Sequence, residues 1–329
     1  MPAAAGNFRE DLRARAAALR RRVVLSEGAD PRVREAARTL AAERTAAQVT
    51  LLGDDATRAW AVAEAPGVVV RFPGSDPSLE AAARHLQARK PDKAGSLEVA
   101  RALATDPLRF AACLVALGEA DATVGGAVST TADVLRAALW AVGAAPGITT
   151  VSSSMYMVTG TYGVLTFTDA GVVQYPTSEQ LADIALAAAR DRRRIVRDEP
   201  RVAFLSHSTR GSASGDSIER VRSALARFRA LAPEVPADGE LQVDAAIVPD
   251  VAERKAPGGV LAGRANVLVF PDLDSGNIGY KLVQRIAPAD ALGPIVQGLA
   301  RPCCDLSRGA TSGDIVQVAA IAILQSDTP

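Results

Sequence analysis

Short apolar runs alternate with amphipathic stretches along most of this chain. Val23–Leu25, Val49–Leu52 and Ala122–Val124 have the pattern of buried strands, and residues 32–43 and 106–117 have the spacing of helices. Strands and helices that alternate in this way are typical of a mostly parallel sheet covered by helices. The pattern therefore predicts an α/β protein.

The middle of the chain is different. Ile148–Met157 and Tyr162–Thr168 are rich in Val, Thr, Tyr and Ser, and the short segment between them contains Gly160. These features predict an antiparallel hairpin. The strand–loop–helix order then resumes with three further predicted strands: Val202–Leu205, Ala245–Ile247 and Val267–Phe270.

With 329 residues, the chain exceeds the usual size of a single core, so two domains are expected. We place the first domain at both ends of the chain, in residues 1–145 plus 291–329. The second domain, residues 146–290, is inserted between them. A cleft between two such domains is the usual place for a ligand.

Charge and cysteine content narrow the function classes. Lysine plus arginine number 37, as do aspartate plus glutamate, so no net charge favours nucleic acid or a membrane as partner. The arginine-rich N-terminus contains Glu10 and Asp11 and has no apolar core, which predicts a surface helix rather than a targeting peptide. Three cysteines, two of them adjacent, suit a reducing compartment better than a disulfide framework or a zinc site. We expect a cytoplasmic protein that needs no metal.

Two polar loops that contain glycine open helices in the last third of the chain, within residues 266–285 and 305–318. The unpaired N–H groups at a helix N-terminus favour anions. In the second loop, Ser307, Arg308 and Asp314 add a hydroxyl, a cation and a carboxylate. An anion site with its own potential base suggests group transfer on a phosphorylated substrate. The alternative for Asp314 is structural, because residues 311–314 also have the spacing of a capping box.

A third glycine-containing loop, SHSTRGSASGDS at residues 206–217, follows a predicted strand. Five of its residues could surround a phosphate with hydroxyls, a guanidinium and backbone N–H groups: Ser208, Thr209, Arg210, Gly211 and Ser212. A surface loop that ends in a helix cap is the alternative. Arg136, in STTADVLR, could also meet an anion, although Thr130 and Asp133 fit helix capping. Motifs for dinucleotide binding, nucleotide hydrolysis and a serine triad are absent from the sequence.

Several motifs, taken together and in order, resemble the phosphate acetyltransferase family. They are VVLSEGADPRVREAA (23–37), DPLRFAACLVALGEADATVGGAVSTTADVLRAAL (106–139), PTSEQLADIALAAA (176–189), STRGSASGD (208–216), DAAIVPDVAERKAP (244–257), ANVLVFPDLDSGNIGYKLVQR (265–285) and DLSRGATSGDIV (305–316). The resemblance implies the reaction CoA + acyl phosphate ⇌ acyl-CoA + phosphate. It also implies a two-domain α/β fold like that of isocitrate and isopropylmalate dehydrogenases. Coenzyme A and acyl phosphate would be substrates, and no metal or redox cofactor would be required.

The family's SRG motif and downstream aspartate fall on Ser307, Arg308 and Asp314. The resemblance implies that Asp314 accepts the CoA proton, that Arg308 stabilises the oxyanion and the leaving phosphate, and that Ser307 hydrogen-bonds the reacting groups. The arginine of the family's TTAD motif falls on Arg136, and a CoA-contacting arginine matches Arg89. Phosphate is expected in the 208–212 loop and near Arg136.

One stretch departs from the family, whose DCAVNPDPT is here DAGVVQYPT (169–177). If Tyr175 borders the acyl group, it would favour acetyl over longer chains. Asn277 is the remaining predicted substrate-binding residue, and we expect a homodimer. The competing hypotheses are a transferase for propionyl or butyryl groups and a non-catalytic acyl-CoA-sensing domain.

Overall fold

The structure is a computed structural model that describes residues 5–287 and 289–327. Its helices are α1 Ala5–Leu19, α2 Pro31–Ala42, α3 Asp55–Glu64, α4 Leu79–Arg89, α5 Pro91–Ala94, α6 Leu97–Ala104, α7 Pro107–Ala116, α8 Thr131–Ala141, α9 Ser178–Ile195, α10 Asp216–Leu231, α11 Val243–Ile247, α12 Pro249–Lys255, α13 Leu273–Ile286 and α14 Ser312–Gln325, with a 3₁₀ turn at Pro73–Ser75. Its strands are β1 Arg22–Leu25, β2 Gln48–Leu52, β3 Val68–Arg71, β4 Ala122–Gly125, β5 Ser152–Thr159, β6 Gly163–Thr168, β7 Val202–Leu205, β8 Ala237–Leu241, β9 Val267–Val269, β10 Asp290–Gln297 and β11 Cys303–Asp305.

The chain divides into two compact units. The terminal unit comprises residues 9–146 and 299–327, and the inserted unit comprises residues 147–298 together with residues 5–8. The predicted boundary of the inserted domain was 290, whereas β10 pairs with β5 and belongs to the inserted unit. A search of the described helices finds none that is long and apolar enough to cross a membrane.

The terminal unit contains a five-stranded parallel sheet in the order β11-β4-β1-β2-β3. In its register Leu25 lies opposite Val124, and Cys304 also lies opposite Val124. Strands β1, β4 and β11 therefore end at the same level, and the loops that follow them meet at one edge of the sheet. Because the strand order reverses between β1 and β4, this edge is the usual ligand site of such a sheet. Helix α14 packs behind it with an unbroken buried run, residues 315–324.

The inserted unit contains a mixed sheet in the order β10-β5-β6-β9-β7-β8. Strands β5 and β6 form an antiparallel pair in which Ser154 lies opposite Thr168, which confirms the predicted hairpin. The strands β6, β9, β7 and β8 are mutually parallel.

The prediction of a strand at Ala245–Ile247 is wrong, because these residues belong to helix α11. The neighbouring strand is β8, whose sequence ADGEL has no apolar run. Its acidic side chains, Asp238 and Glu240, are nevertheless buried and paired with arginines, so hydrophobicity alone could not detect the strand. The short strands β3 and β11 were also not predicted, nor was the eight-residue strand β10, which contains both glycine and proline.

Candidate active site

The turn between β11 and α14 carries the SRG residues. Ala310 N donates to Ser307 O at 2.8 Å and closes the turn, and Gly309 N donates to Ser307 Oγ at 3.3 Å. The residues 307–309 are all exposed. Within residues 5–287 and 289–327, the guanidinium of Arg308 has no hydrogen bond or ion pair. A free cation is therefore presented to solvent from a closed backbone turn.

Asp314 lies in the first turn of α14. Its Oδ2 accepts hydrogen bonds from Thr311 N at 3.0 Å and from Thr311 Oγ1 at 2.8 Å, and Asp314 N donates to Thr311 Oγ1 at 3.2 Å. The capping box considered from the sequence is therefore present. The Oδ1 atom accepts no hydrogen bond from the described residues, so the carboxylate has a second oxygen that a substrate could use. The general-base role of Asp314 stays a prediction.

The first turn of α2 contributes an arginine, Arg32, that was not predicted as functional. Arg32 Nη1 donates to the carbonyl oxygens of Arg308 at 2.7 Å and Ala310 at 3.0 Å. Its Nη2 donates to Ala127 O at 2.8 Å, and Asp30 accepts its remaining N–H groups. Arg32 thus joins the SRG turn to the loop that follows β4.

Glu27 holds the same β4–α8 loop from another side. Its carboxylate accepts hydrogen bonds from the backbone N–H groups of Ala127 at 2.6 Å, Val128 at 3.2 Å and Ser129 at 2.8 Å. Three successive N–H groups of this kind are an anion-binding arrangement. Here the protein fills it with its own carboxylate, so these amides are not open to a substrate phosphate.

Asp305, at the end of β11, is buried with about 1% of its surface exposed. Its Oδ2 accepts a hydrogen bond from Thr131 Oγ1 at 2.6 Å, whereas Oδ1 has no partner among the described residues. Burial raises the pKa of the Asp305 carboxyl to about 6, although the Thr131 hydrogen bond lowers it in part. Gly126 has a φ of +100° and lies against Asp305, so a Cβ there would collide with Oδ1. This close approach therefore requires glycine at 126, and the hydrogen bond from Thr131 ties β11 to the first residue of α8.

Arg136 lies on α8 beyond this contact. It is about half exposed, and its Nη1 donates to Asp133 Oδ1 at 2.6 Å. Thr130 caps the helix by accepting from Asp133 N, so the predicted capping role of Thr130 is confirmed. Arg136 would have to exchange Asp133 for a substrate anion, which an exposed ion pair does at little cost.

Arg89 contacts the other end of α8, where its Nε donates to Trp140 O at 3.5 Å. From Thr131 to Trp140 the helix rises about 14 Å at ~1.5 Å per residue. The structure therefore does not bring Arg89 next to the SRG turn. It can serve only a part of a long substrate that lies well away from the reacting atoms.

The 206–213 loop of the inserted unit is built differently from its prediction. Ser208 is fully buried, and its Oγ donates to Glu240 Oε1 at 2.9 Å. Gly211 N donates to the same oxygen at 2.8 Å, and Arg222 Nε donates to Glu240 Oε2 at 2.8 Å. Although burial alone would raise the pKa of Glu240, the hydrogen bonds from Arg222, Gly211 and Ser208 lower it to about 2. A permanent negative charge thus occupies the loop.

Further polar groups of this loop are also engaged. Thr209 N donates to Ser212 Oγ at 3.0 Å, and the Thr209 hydroxyl accepts from Gln242 N at 3.0 Å. Arg210 Nη2 donates to Asp238 Oδ2 at 2.8 Å. The loop has the residue types of a phosphate site, but its contacts favour the structural alternative.

Tyr175 and Asn277 both belong to the inserted unit. Asn277 Nδ2 donates to Ala170 O at 3.1 Å and so holds the loop after β6. The carboxylate of Asp169 holds the same loop through the N–H groups of residues 171–173. Tyr175, further along, is 71% exposed. Its ring is therefore not packed as the wall of a closed acyl pocket in this chain.

Cysteines and clustered acidic side chains are the remaining candidates for redox or metal chemistry. Cys113, Cys303 and Cys304 form no disulfide, and all three are buried. Burial raises the pKa of Cys113 to about 12, and it raises that of Cys303 further. A search of the described residues finds no group of three or more His, Cys, Asp or Glu side chains that could hold a metal ion.

A family model described as phosphate acetyl/butaryl transferase matches residues 7–323 of this chain. A phosphate acetyltransferase of Paracoccus denitrificans is 48% identical over 316 residues, which cover 94% of this chain and 96% of that protein. The chain belongs to this family. A phosphotransacetylase structure from Streptococcus pyogenes superposes with a TM-score of 0.93 at 35% identity, covering 98% of this chain and 99% of the other.

The fold extends beyond the phosphate acetyl/butyryl transferase family. A structure from Salmonella typhimurium described as a 4-hydroxythreonine-4-phosphate dehydrogenase is 14% identical, with a TM-score of 0.54 and coverage of 92% of this chain and 99% of the other. At this identity the likeness concerns the fold alone. It confirms the predicted dehydrogenase-like α/β class.

Four residues around the SRG turn were not predicted as functional: Glu27, Arg32, Thr131 and Asp305. All four lie in stretches that carry the family resemblance: Glu27 and Arg32 in 23–37, Thr131 in 106–139 and Asp305 in 305–316. The available signal was the pair of charged side chains, Glu27 and Arg32, on either side of the α2 N-cap Asp30, since the cap itself requires neither of them. Nothing in the sequence shows, however, that the partners of these side chains are backbone groups of two distant loops.

Proposed function

We propose that this chain is a phosphate acetyltransferase, which transfers an acetyl group reversibly between acetyl phosphate and coenzyme A. The observation that carries the proposal is the exposed Ser307–Gly309 turn. Arg32 binds the backbone carbonyl of Arg308 in this turn, and the guanidinium of Arg308 is left free. Membership of the phosphate acetyl/butyryl transferase family supports it.

The proposed reaction begins with the CoA thiol. With a thiol pKa of about 8.5, the thiolate is a minor species at neutral pH, so a carboxylate that takes the proton raises the rate. Asp314 is the proposed base. The sulfur then forms a bond to the acetyl carbonyl carbon, the carbon–oxygen bond to phosphate breaks, and phosphate leaves with the bonding electron pair. The proton on Asp314 is returned to phosphate or solvent.

Arg308 is the proposed electrostatic partner of this step. Negative charge develops on the carbonyl oxygen and on the departing phosphate, and a cation stabilises both most strongly where water is excluded. The unpaired guanidinium of Arg308 supports this role. Ser307 is proposed to hydrogen-bond a reacting group from its exposed position in the turn, with Arg136 binding the phosphate end of the substrate.

The test is an assay of thioester formation from CoA with acetyl, propionyl and butyryl phosphates. The proposal expects saturable thioester formation with acetyl phosphate, and phosphate-dependent loss of acetyl-CoA in the reverse direction. A chain that binds CoA but forms no thioester with any of the three would be the non-catalytic acyl-CoA-sensing domain. A chain that prefers butyryl phosphate would be the longer-chain enzyme.

The acetyl preference is a separate proposal. The substitution of the family's Asn-Pro-Asp by Val173–Tyr175 motivates it, but the 71% exposure of Tyr175 favours only a small contribution from that ring. Tyr175→Ala is therefore expected to change the acetyl-to-butyryl ratio of kcat/KM by less than about threefold, well below the tenfold that a buried methylene can discriminate. A larger change would restore Tyr175 as part of the acyl site.

We also propose a homodimer in the cytoplasm. Three large apolar side chains on α13, Ile278, Leu282 and Ile286, recur every four residues and are 57%, 52% and 79% exposed. A second copy that packs on this stripe would remove it from water, which favours association. Leu282→Glu is expected to halve the mass measured by light scattering without loss of secondary structure; an unchanged dimer would exclude this face.

A further inference from the structure

The loops that carry the proposed active site are held by one short segment, residues 27–32, which comprises the end of the β1–α2 loop and the first two residues of α2. Glu27 accepts from the N–H groups of Ala127, Val128 and Ser129 in the β4–α8 loop. Arg32 donates to Ala127 O in that loop and to Arg308 O and Ala310 O in the SRG turn. Both loops are therefore fixed to the same support.

Arg32 makes every hydrogen bond that its side chain can make. A guanidinium has five N–H donors in a rigid plane. Nε and one Nη2 proton go to the carboxylate of Asp30, both Nη1 protons go to the SRG turn, and the last Nη2 proton goes to Ala127 O. Pairing with Asp30 is the largest cause of the raised pKa of Arg32, so its guanidinium stays charged.

These contacts exceed what the start of a helix requires. The N-cap of α2 is already supplied by Asp30, which accepts from Arg32 N at 2.8 Å. The Arg32 side chain also binds the carbonyl oxygens of Arg308 and Ala310, which are separated from it in the sequence by 276 and 278 positions. Helix capping therefore does not account for the hydrogen bonds from Arg32 to the two carbonyl groups on either side of Gly309.

The result is a turn whose backbone is fixed while its functional side chain remains free. The carbonyl that Arg32 binds belongs to Arg308 itself, so the Cα position and peptide plane of Arg308 are set before substrate arrives. A charge that is already oriented stabilises the transition state without reorganising during the reaction.

We propose that Arg32 is a positioning residue that acts through Arg308. The inference rests on the proposed function of Arg308 and adds the residue on which its orientation depends. Lysine cannot replace Arg32, because an ammonium has three donors on a flexible stem and cannot reproduce a planar five-donor fork.

The experiment compares Arg32→Lys with a matched control, Arg34→Lys. Arg34 lies on the same helix and also binds a backbone carbonyl, Gly28 O at 2.7 Å, but its other partner is Thr57 rather than the SRG turn. We expect Arg32→Lys to lower kcat by about 10- to 100-fold, the scale of a small misplacement of a catalytic group. The KM for CoA should change by less than about threefold, and Arg34→Lys should leave kcat within about threefold.

A double-mutant cycle with Arg308→Ala identifies the route of the effect. If Arg32 acts through Arg308, Arg32→Lys should change kcat by less than about twofold once Arg308 is absent. Equal losses in both backgrounds, or an equal loss in Arg34→Lys, would overturn the inference. An Arg308→Ala variant with full turnover would overturn both this inference and the proposed role of Arg308.

Amide hydrogen exchange provides a readout that does not depend on activity. Ala310 N is bonded to Ser307 O within the turn, and Arg32→Lys should speed its exchange by about tenfold or more while the amides inside α14 keep their protection. If wild type forms no thioester but this local acceleration is seen, the proposed function fails while the positioning contact stands. Unchanged exchange at 310 would refute the positioning role.

Discussion

The loop at residues 206–213 and the turn at residues 307–310 contain the same kinds of residue in opposite states. Each has serine, arginine and glycine, and the sequence predicted an anion site at both. In the first, Ser208 is buried against Glu240 and Arg210 is paired with Asp238. In the second, Ser307 and Arg308 are exposed, and Arg32 binds the backbone carbonyls of Arg308 and Ala310 rather than a side chain of the turn.

The difference shows that donors count as a binding site only when the protein leaves them free. Buried donors must be satisfied, and a carboxylate of the same chain is the strongest partner available. Glu240 fills the 206–213 loop and Glu27 fills the β4–α8 loop, so both are rigid and neither is open. The SRG turn gains rigidity through its carbonyls instead, which leaves its cation available.

The largest effect is expected for Asp314→Asn, which should lower turnover by about 100- to 10,000-fold, the range for losing a general base. Asparagine keeps an acceptor for Thr311 N, so the helix cap should survive. The control is a second capping box, at Thr177 and Gln180. Gln180→Ala removes the hydrogen bond from Thr177 N and should cost about 0.5–1.5 kcal/mol of stability with unchanged turnover. Near-normal turnover in Asp314→Asn would make the two boxes equivalent and leave Asp314 a cap.

The direct test of the comparison is Arg308→Ala against Arg210→Ala. We expect Arg308→Ala to lower kcat by about 100- to 1,000-fold with little change in CoA affinity, because its charge meets charge that develops during the reaction. Arg210→Ala should leave kcat within about threefold but lower the melting temperature, since buried Asp238 loses a partner. Steady-state kinetics and thermal unfolding of both variants measure this. A large rise in the KM for acetyl phosphate in Arg210→Ala would return the 206–213 loop to the phosphate site.

A third prediction concerns the buried carboxyl beside the SRG turn. The pKa of Asp305 is raised to about 6 in the folded chain, so the folded state binds its proton more tightly than the unfolded state does. Its favourable contribution is complete below about pH 4 and is lost as pH rises through 6, by up to about 3 kcal/mol. Urea unfolding at pH 5 and pH 8 should therefore show wild type losing stability relative to Asp305→Asn. A pH-independent difference between the two proteins would contradict the raised pKa.

The contribution of Glu240 to stability should depend on pH in the opposite direction from that of Asp305, and the expected effect of its replacement is smaller. Its pKa is lowered to about 2, so its contribution is present above about pH 4.5 and is lost as pH falls toward 2. Glu240→Gln should cost about 1–3 kcal/mol at pH 7, the value of hydrogen bonds to a charged group. Turnover should change by less than about threefold. If the variant instead bound acetyl phosphate more tightly at unchanged stability, Glu240 would be a competitor for the substrate rather than a structural anion.

Much of the architecture follows from local patterns. Residues 23–25, 49–52, 122–124 and 202–205 lie in strands as predicted, because a buried parallel strand needs a continuous apolar run. The hairpin, the helices at 32–43 and 106–117 and the cap at Thr177 were also predictable, since turn and cap chemistry involves residues only a few positions apart. Strand β8 was missed because its buried charges are compensated by arginines elsewhere in the sequence.

The order of motifs in the chain was enough to indicate the family and the reaction implied by it, because the stretches between residues 23 and 316 resemble the family in residue type and spacing. Which of these side chains are free to bind a ligand was decided by the tertiary structure. Whether a serine or an arginine is free depends on which carboxylate or carbonyl lies within about 3 Å of it. Arg32 reaches Arg308 only because β1, β4 and β11 end together at one edge of the sheet. Hydrogen bonding is short-ranged in space and indifferent to distance along the chain, so no local pattern could have separated the open turn from the filled loop.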